Sequence, residues 1–274
     1  VKEQVMALAF VDQVAWITGG GSGIGRAVAL ELARQGARVA VSGRRLDRLE
    51  EVARTIEAQG GRALVVACDI TEESEVAQAV ERVVGAFGRL DIAVANAGFA
   101  VEGRIEALSA EDWRRQFDTN VVGAAMTARY AIPHLRRTRG RLGLVGSVAA
   151  LLATPGFGAY AASKYALRAI GQTLAMELAG SGVTCTLVHP GFVESEIAQV
   201  DNQGRFDPNR RDRRPRLLMW SADDAAREIV WALRRRKREH VFTGHGKIGA
   251  ALGQHAPGLA QFLLSRVAAG RRRT

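Results

Sequence analysis

The sequence predicts a single α/β domain in which a parallel sheet is doubly wound, with helices on both faces, and three observations carry that prediction. Short apolar runs alternate with longer stretches whose apolar residues recur at helical spacing. Strands that alternate with helices return to the same sheet edge through crossovers, which makes the sheet parallel. A glycine-rich turn follows the first apolar run, and the remaining runs end in small or polar residues. At 274 residues and 47% hydrophobic content the chain can bury one large core, and no linker, internal repeat or low-complexity tract divides it.

Val14–Thr18 is the first strand. It breaks into Gly19-Gly20-Gly21-Ser22-Gly23-Ile24-Gly25, after which Ala27, Val28, Leu30, Leu32 and Ala33 continue at helical spacing. Glycines let the backbone turn tightly and approach a ligand, and a helix start aims free N–H groups at a phosphate. A second strand, Arg38–Ser42, follows where a dinucleotide-binding βαβ unit requires one, and it ends at Gly43-Arg44-Arg45. An acid at this point would hold the ribose hydroxyls of NAD, whereas an arginine accommodates the 2′-phosphate of NADP. Two cations at a helix start oppose its dipole unless an anion is near, so Arg44 and Arg45 are read as phosphate ligands.

The alternation continues with a helix over Leu46–Ala58, a strand Ala63–Ala67, a helix Glu72–Phe87 entered through Thr71, and a strand Asp91–Ala95. A long helix from about Ala110 to Arg136, a strand Leu142–Gly146, a helix carrying Tyr160 to Leu178 and a strand Val183–His189 complete the regular part. The segment at about 192–220 holds Arg205, Arg210, Arg211, Arg213, Arg214 and Arg216 with two prolines, and reads as a basic mobile substrate loop beside the site. A helix over Ala222–Arg238 ends in cations, as the dipole favours, and His240–Thr243 is a final strand. Ile248, Leu252, Leu259, Phe262, Leu263 and Val267 recur at helical spacing around Pro257. The tail at about 247–270 is therefore one or two amphipathic helices, packed on the domain or a neighbouring subunit rather than on a membrane.

Tyr160 and Lys164 stand four residues apart, which places them on one face of a helix. A fixed positive charge near a phenol lowers its titration from about pH 10 toward neutrality, and a phenol so tuned can give a proton to a carbonyl oxygen or take one from an alcohol. Asn96, Asn120, Ser147 and Tyr160 all fall at or beyond the carboxyl ends of strands, the edge where parallel sheets bind ligands.

The formal charge of +10 resides almost wholly in arginine, since only four of the 38 basic residues are Lys. Spread along the chain with no nucleic-acid motif, it reads as a solvated surface, with no specific nucleic-acid partner. Cys68 and Cys185 close apolar runs without a disulfide or metal spacing, which points to a reducing compartment, a cytoplasmic location and no metal. No apolar run is long enough to span a bilayer, and the first ten residues lack the pattern of a signal peptide.

With these residues placed, the chain resembles the short-chain dehydrogenase/reductase family over nearly its whole length. Thr18 to Gly25 is similar to the family's Thr-Gly-x-x-x-Gly-x-Gly turn, Asp69 with Ile70 to its adenine-contacting pair, and Asn96-Ala97-Gly98 to its Asn-Ala-Gly segment. Asn120 matches the helix asparagine, Ser147, Tyr160 and Lys164 the catalytic residues, and Pro190-Gly191 with Val193 and Ser195 the turn beside the nicotinamide. Two departures stand out: Ala95 replaces an asparagine, and Ser195 stands where a threonine usually bonds the nicotinamide amide. The resemblance implies a Rossmann-type fold and cofactor contacts from Thr18, Gly19, Gly21, Ser22, Gly23, Ile24, Gly25, Arg44, Arg45, Asp69, Ile70, Asn96, Ala97, Gly98, Tyr160, Lys164, Pro190, Gly191, Val193 and Ser195.

It implies that Ser147 polarises the substrate oxygen, that Tyr160 exchanges the proton, and that Lys164 lowers the tyrosine pKa and holds the nicotinamide ribose. Asn120 would position a water that links Lys164 to solvent. The expected activity is NADP(H)-dependent, rather than NAD(H)-dependent, exchange of hydride with a lipophilic ketone or alcohol. The apolar loop Val148–Phe157 and Phe99, Val101 and Phe192 are expected at the site mouth. The alternatives are a reductase of acyl-CoA or acyl-carrier-protein thioesters, or a non-catalytic protein that senses the dinucleotide. A homo-oligomer, tetramer or dimer, is expected, with Val121, Val122, Ala125 and Leu167 on its contact helices.

Overall fold

The computed structural model describes residues 8–212 and 214–270. The expectations that rest on Arg213, on the side chain of Val267 and on the first seven residues lie outside the described residues. Seven strands form one sheet: β1 (Val14–Thr18), β2 (Arg38–Gly43), β3 (Ala63–Ala67), β4 (Ile92–Ala95), β5 (Arg141–Val145), β6 (Thr184–His189) and β7 (Glu239–Val241). All neighbours are parallel, in the order β3-β2-β1-β4-β5-β6-β7.

The helices are α1 (Gly23–Arg34), α2 (Leu46–Ala58), α3 (Glu73–Phe87), α4 (Ala110–Phe117), α5 (Gly123–Thr138), α6 (Gly158–Glu177), α7 (Ala222–Arg234), α8 (Gly244–His255) and α9 (Pro257–Gly270). Side chains alternate across a strand, and both faces of this sheet are covered, so β1 is apolar at every position before Thr18. Ala15 and Ile17 join Val28, Leu32, Val52, Ile229 and Leu233 in a core under α1, α2 and α7. Val14 and Trp16 join Val80, Val83, Ala128, Leu135 and Leu167 in a second core under α3, α5 and α6. Strand order reverses at β1, which pairs with both β2 and β4, and the carboxyl ends of those strands open the crevice where ligands of such sheets bind.

The expected elements are found, and four details differ for local reasons. The long helix expected from Ala110 is interrupted by a π-helical turn over Asp118–Val122 that turns the buried Asn120 inward. The helix α7 stops at Arg234, because Arg236 takes a left-handed φ of 52° and donates to the carbonyl oxygens of Arg139, Gly140 and Gly182. Thr71 bonds Asp69 instead of capping α3. The last strand begins at Glu239, and Thr243 lies beyond it as the residue before α8.

Two further expectations are corrected. Leu167 faces the core with 1% exposure, so it is no contact residue, and the exposed apolar residues of these helices are Val122, Tyr165 and Met176. Phe99 and Val101 are buried together with Ala159, against Leu108, Trp113 and Val200, instead of lying open at the mouth. The segment 192–220 is built of short pairings: Val193 bridges Trp220, and Val200 bridges Phe206. Among the described residues no helix is long and apolar enough to cross a membrane.

Candidate active site

The glycine turn between β1 and α1 is braced from β4. The Thr18 hydroxyl accepts from the backbone N–H groups of Asn96 (3.1 Å) and Ala97 (3.2 Å), while Asn96 Nδ2 donates to the carbonyls of Thr18 (2.9 Å) and Gly19 (3.2 Å). A Cβ on Gly25 would sit 2.3 Å from Asn96 Nδ2 and from the Gly19 oxygen, so no larger residue fits there. Gly19 and Gly23 take φ of +63° and +49°, which a side chain would strain. Helix α1 then starts with no side-chain cap from Ser22 and no acid in its first turn, which leaves its leading N–H groups to an anion. Those features fit the pyrophosphate of a dinucleotide.

Beyond β2, Arg44 Nη1 lies 3.7 Å from the Asp69 carboxylate, and Arg44 Nη2 donates to the Gly204 carbonyl (3.3 Å). Arg45 donates to the Ser22 hydroxyl (3.0 Å) and to Glu196 (2.5 Å), and its guanidinium lies over the Phe206 ring at 5.3 Å. Ile70 is buried where a Cβ on Gly123 would collide with it, so its side chain supports α5. The structure thus brings Ser22, Arg44, Arg45 and Asp69 to one edge, with residues 196–206 laid against them. Gly98 lies beside Asn120 and Lys164, where a Cβ would stand 2.9 Å from Asn120 Oδ1 and 3.8 Å from Lys164 Nζ.

The reacting side is formed by the ends of β5 and β6 and the first turns of α6. Ser147 Oγ accepts from the Ala149 N–H (3.1 Å), and the serine hydroxyl lies close enough to the Tyr160 phenol to influence its titration. Burial pushes the Tyr160 phenol up from its ordinary value, while Ser147 and the Arg214 guanidinium pull it down by less. The expected lowering by Lys164 is not what sets the phenol in this structure. Lys164 Nζ lies 5.6 Å from the centre of the Tyr160 ring and donates to the Val145 carbonyl (3.0 Å), and burial pushes its ammonium down to about 8. Asn120 accepts from the Phe99 N–H (3.1 Å) and donates to the Phe99 carbonyl (3.0 Å) and Ser163 Oγ (3.1 Å). Its amide ties the loop after β4 to α6.

Pro190 accepts from the Val148 N–H (2.9 Å), which fastens the turn after β6 to the loop after Ser147. A Cβ on Gly191 would lie 2.2 Å from His245 Nε2, the atom that accepts from the Phe192 N–H (2.9 Å). Val193 is buried, and the Ser195 hydroxyl bonds the Val193 carbonyl (3.3 Å) while its Cβ lies 3.0 Å from where a Cβ on Gly23 would be. Ser195 is therefore pressed against the glycine turn.

Several residues of the site have roles that the sequence does not indicate. Arg214 donates to the carbonyls of Val193 (2.9 Å) and Ser195 (3.1 Å) and pairs with Asp212, which makes it an anchor of the substrate segment. His189 bonds both Ser147 and Glu239, and Arg168 joins the same carboxylate. One signal for Arg168 was present: Tyr160, Lys164 and Arg168 recur every four residues along α6. Among the described residues no group of three or more His, Cys, Asp or Glu is placed to hold a metal ion.

This constellation meets its counterpart in comparisons with known proteins, where residues 13–205 match the family profile described as short chain dehydrogenase. The chain belongs to the short-chain dehydrogenase/reductase family. It is thereby, in general terms, an oxidoreductase that works with a nicotinamide dinucleotide. It is 37% identical over 197 residues to the hydroxynaphthalene reductase arp2 of Aspergillus fumigatus, covering 72% of this chain and 71% of that one. It is 38% identical over 191 residues to an uncharacterized oxidoreductase of Myxococcus xanthus, with 69% and 76% covered. Among solved structures, a short-chain dehydrogenase/reductase of Burkholderia phymatum in complex with NAD superposes with a TM-score of 0.81 at 28% identity, over 89% of this chain and 93% of that one. A short-chain dehydrogenase of Burkholderia cenocepacia in complex with NADP gives 0.76 at 29% identity, over 87% and 99%.

Proposed function

We propose that the protein is an NADP(H)-dependent carbonyl reductase or alcohol dehydrogenase acting on lipophilic substrates, with Tyr160 as the general acid and base. The observation that carries this reading is the placing of Ser147 beside the Tyr160 phenol, with the buried Lys164 Nζ 5.6 Å from the centre of the same ring, at the edge where the glycine turn opens. In reduction, the Tyr160 hydroxyl gives its proton to the substrate oxygen, and Ser147 Oγ donates to that oxygen and polarises it. In oxidation both steps reverse. Lys164, four residues on, would hold the ribose of the bound nicotinamide. The bound nicotinamide supplies or accepts the hydride. Asn120 keeps α6 and the loop after β4 in register.

The turn from Thr18 to Gly25 holds the pyrophosphate, Asp69 and Ile70 flank the adenine, and Arg44 and Arg45 take the 2′-phosphate. No acid stands at Gly43 to hold the ribose hydroxyls of NAD, and both arginines already meet oxygen atoms at that edge. The lipophilic preference is supported by the apolar loop Val148–Phe157 that joins Ser147 to Tyr160. Phe192, stacked on His245, adds an exposed ring. One relative is named for hydroxynaphthalene, a fused aromatic, in keeping with that preference. We infer further a cytoplasmic homo-oligomer, with Val122, Tyr165 and Met176 available on its contact helices. An NADPH-oxidation screen over ketones, aldehydes and acyl thioesters tests the reading, with Tyr160→Phe as the blank. Turnover of apolar ketones that the blank abolishes is the expected result, and turnover confined to thioesters or polyols overturns it.

A further inference from the structure

We propose that His189, held by Glu239 and Arg168, is a positioning residue that fixes the backbone of Ser147 and thereby the hydroxyl that meets the substrate oxygen. The inference rests on the assignment of Ser147 and Tyr160 as the reacting pair. His189 is the last residue of β6 and is fully buried. Its Nδ1 lies 3.0 Å from the Ser147 carbonyl oxygen, and its Nε2 lies 2.8 Å from Glu239 Oε1. A carbonyl and a carboxylate both only accept, so each ring nitrogen must donate, and the doubly protonated ring is the one form that does so. Either neutral tautomer would set a lone pair of this fully buried ring against an oxygen.

The surroundings are built for that ring. A Cβ on Gly146 would lie 2.7 Å from His189 Nδ1, so glycine there lets the imidazole lie against the backbone that leads into Ser147. Glu239 takes a second donor on the same oxygen, Arg168 Nε at 2.7 Å, and Arg168 Nη2 reaches its other oxygen at 3.4 Å. Its carboxyl is held down to about 2 by the His189 hydrogen bond first and by Arg168 next, against an opposing effect of burial. Arg168 sits on α6 in the row that begins with Tyr160 and Lys164. The contacts therefore close a ring through β5, β6, β7 and α6, joining Ser147 to His189, Glu239, Arg168 and, along the helix, back to Tyr160.

That ring explains what holds the serine. Gly146 N–H is bonded to the Val188 carbonyl and Val148 N–H to the Pro190 carbonyl, while the Ser147 carbonyl accepts from the local Ala150 N–H (2.9 Å) and meets His189 Nδ1, its one partner from another strand. Displacing a reacting group by about 1 Å can cost on the order of a hundredfold in rate. A side chain that fixes this peptide thus acts on turnover and not on cofactor affinity.

Steady-state kinetics of the full-length protein with NADPH and an accepted ketone test the proposal, using His189→Leu, His189→Asn and Ser147→Ala. The expected result is a fall in kcat of about tenfold or more for His189→Leu with KM for NADPH within about twofold, because the peptide shifts while the cofactor contacts stay. His189→Asn, whose amide can donate to the Ser147 carbonyl, should recover most of that loss. Turnover by His189→Leu within about twofold of the parent overturns the proposal, as does an asparagine variant no better than the leucine one. Should the leucine variant fail to fold, ¹⁵N spectra of histidine-labelled parent protein at neutral pH decide: two protonated ring nitrogens on His189 support the proposal, and a neutral ring overturns it. Ser147→Ala separates the two levels. If that variant keeps turnover, the assignment of Ser147 fails; if it loses turnover while His189→Leu does not, only the present inference fails.

Discussion

The two sides of the site carry charge networks of opposite construction. On the reaction side Glu239 receives His189 and Arg168 in a compact cluster whose imidazole is fully buried, and every member is anchored on a strand or helix. On the cofactor side Arg45 meets Glu196, with side chains 39% and 27% exposed, and Arg44 meets only the Gly204 carbonyl and a more distant Asp69. The two carboxylates are about equally exposed, Glu239 at 30% and Glu196 at 27%, so the networks differ in anchoring: two strands and a long helix hold the first, and a short turn and a helix end hold the second. The difference fits two tasks, holding reacting atoms still on one side and admitting a large anionic ligand on the other.

The sharpest break in that comparison is expected from Tyr160→Phe, which keeps the ring and removes the proton donor. Turnover should fall by a hundredfold or more, about 3 kcal/mol in transition-state stabilisation, while NADPH affinity stays nearly unchanged. Stopped-flow hydride transfer together with fluorescence titration measures both. Undiminished turnover on an accepted substrate would remove Tyr160 from the mechanism.

Burial on the reaction side should also be visible as pH-dependent stability. The Lys164 ammonium is pushed down to about 8, so between pH 8 and its ordinary 10.5 the unfolded chain binds the proton that the folded chain has shed. Stability contributed by this group therefore rises with pH across that window, and the penalty is fully present below pH 8. Lys164→Met removes it. Urea unfolding of parent and variant at pH 7 and pH 9.5 should show the variant gaining about 2 kcal/mol more at the lower pH, whatever the lost bond to Val145 costs at both. An identical difference at the two values would mean that the ammonium is not penalised by burial.

How much of this was legible in the sequence follows from the range of each interaction. The strand, glycine turn and helix from Val14 onward were legible because they are local and periodic, and Tyr160 with Lys164 because four residues is one helical turn. The pull of Lys164 on the phenol was expected from that same spacing, yet its ammonium goes to the Val145 carbonyl, an atom on a strand that spacing along α6 cannot see. Asn120 was marked, but the π-helical turn that aims it inward leaves no trace in hydrophobic periodicity. His189, Glu239 and Gly146 meet only through the order of β5, β6 and β7, so their partnership is a property of sheet register. The apolarity of Phe99 and Val101 is plain in the sequence, but apolarity does not distinguish a wall that packs on itself from one left open.

On the cofactor side, the arginines should discriminate between dinucleotides. NADPH is expected to bind at least about tenfold more tightly than NADH, roughly 1.4 kcal/mol, from charge-assisted contacts to the 2′-phosphate. Arg44→Ala and Arg45→Ala should each narrow that gap in fluorescence titrations of both reduced cofactors. Equal affinities in the parent protein would leave the two arginines as surface charges that merely hold residues 196–206.

The smallest effect tests the looseness of that side most directly. Glu196 places a carboxylate oxygen 2.5 Å from Arg45 Nη2, and the same nitrogen lies 3.0 Å from the Ser22 hydroxyl. A 2′-phosphate that takes Arg45 must compete with this carboxylate, while NADH has no group that does. Glu196→Gln keeps the shape and weakens the competitor, so NADPH should bind more tightly, by about threefold, or roughly 0.6 kcal/mol, which is the scale of a half-exposed ion pair. NADH affinity should not move. The gain should shrink as salt is raised from low to physiological strength, because the exposed pair is already screened there. A gain shared equally by NADH would show that Glu196 blocks the whole crevice instead of competing for one arginine. A loss of NADPH affinity would show that the carboxylate orients Arg45 for the phosphate, which would place this pair with the fixed networks of the reaction side.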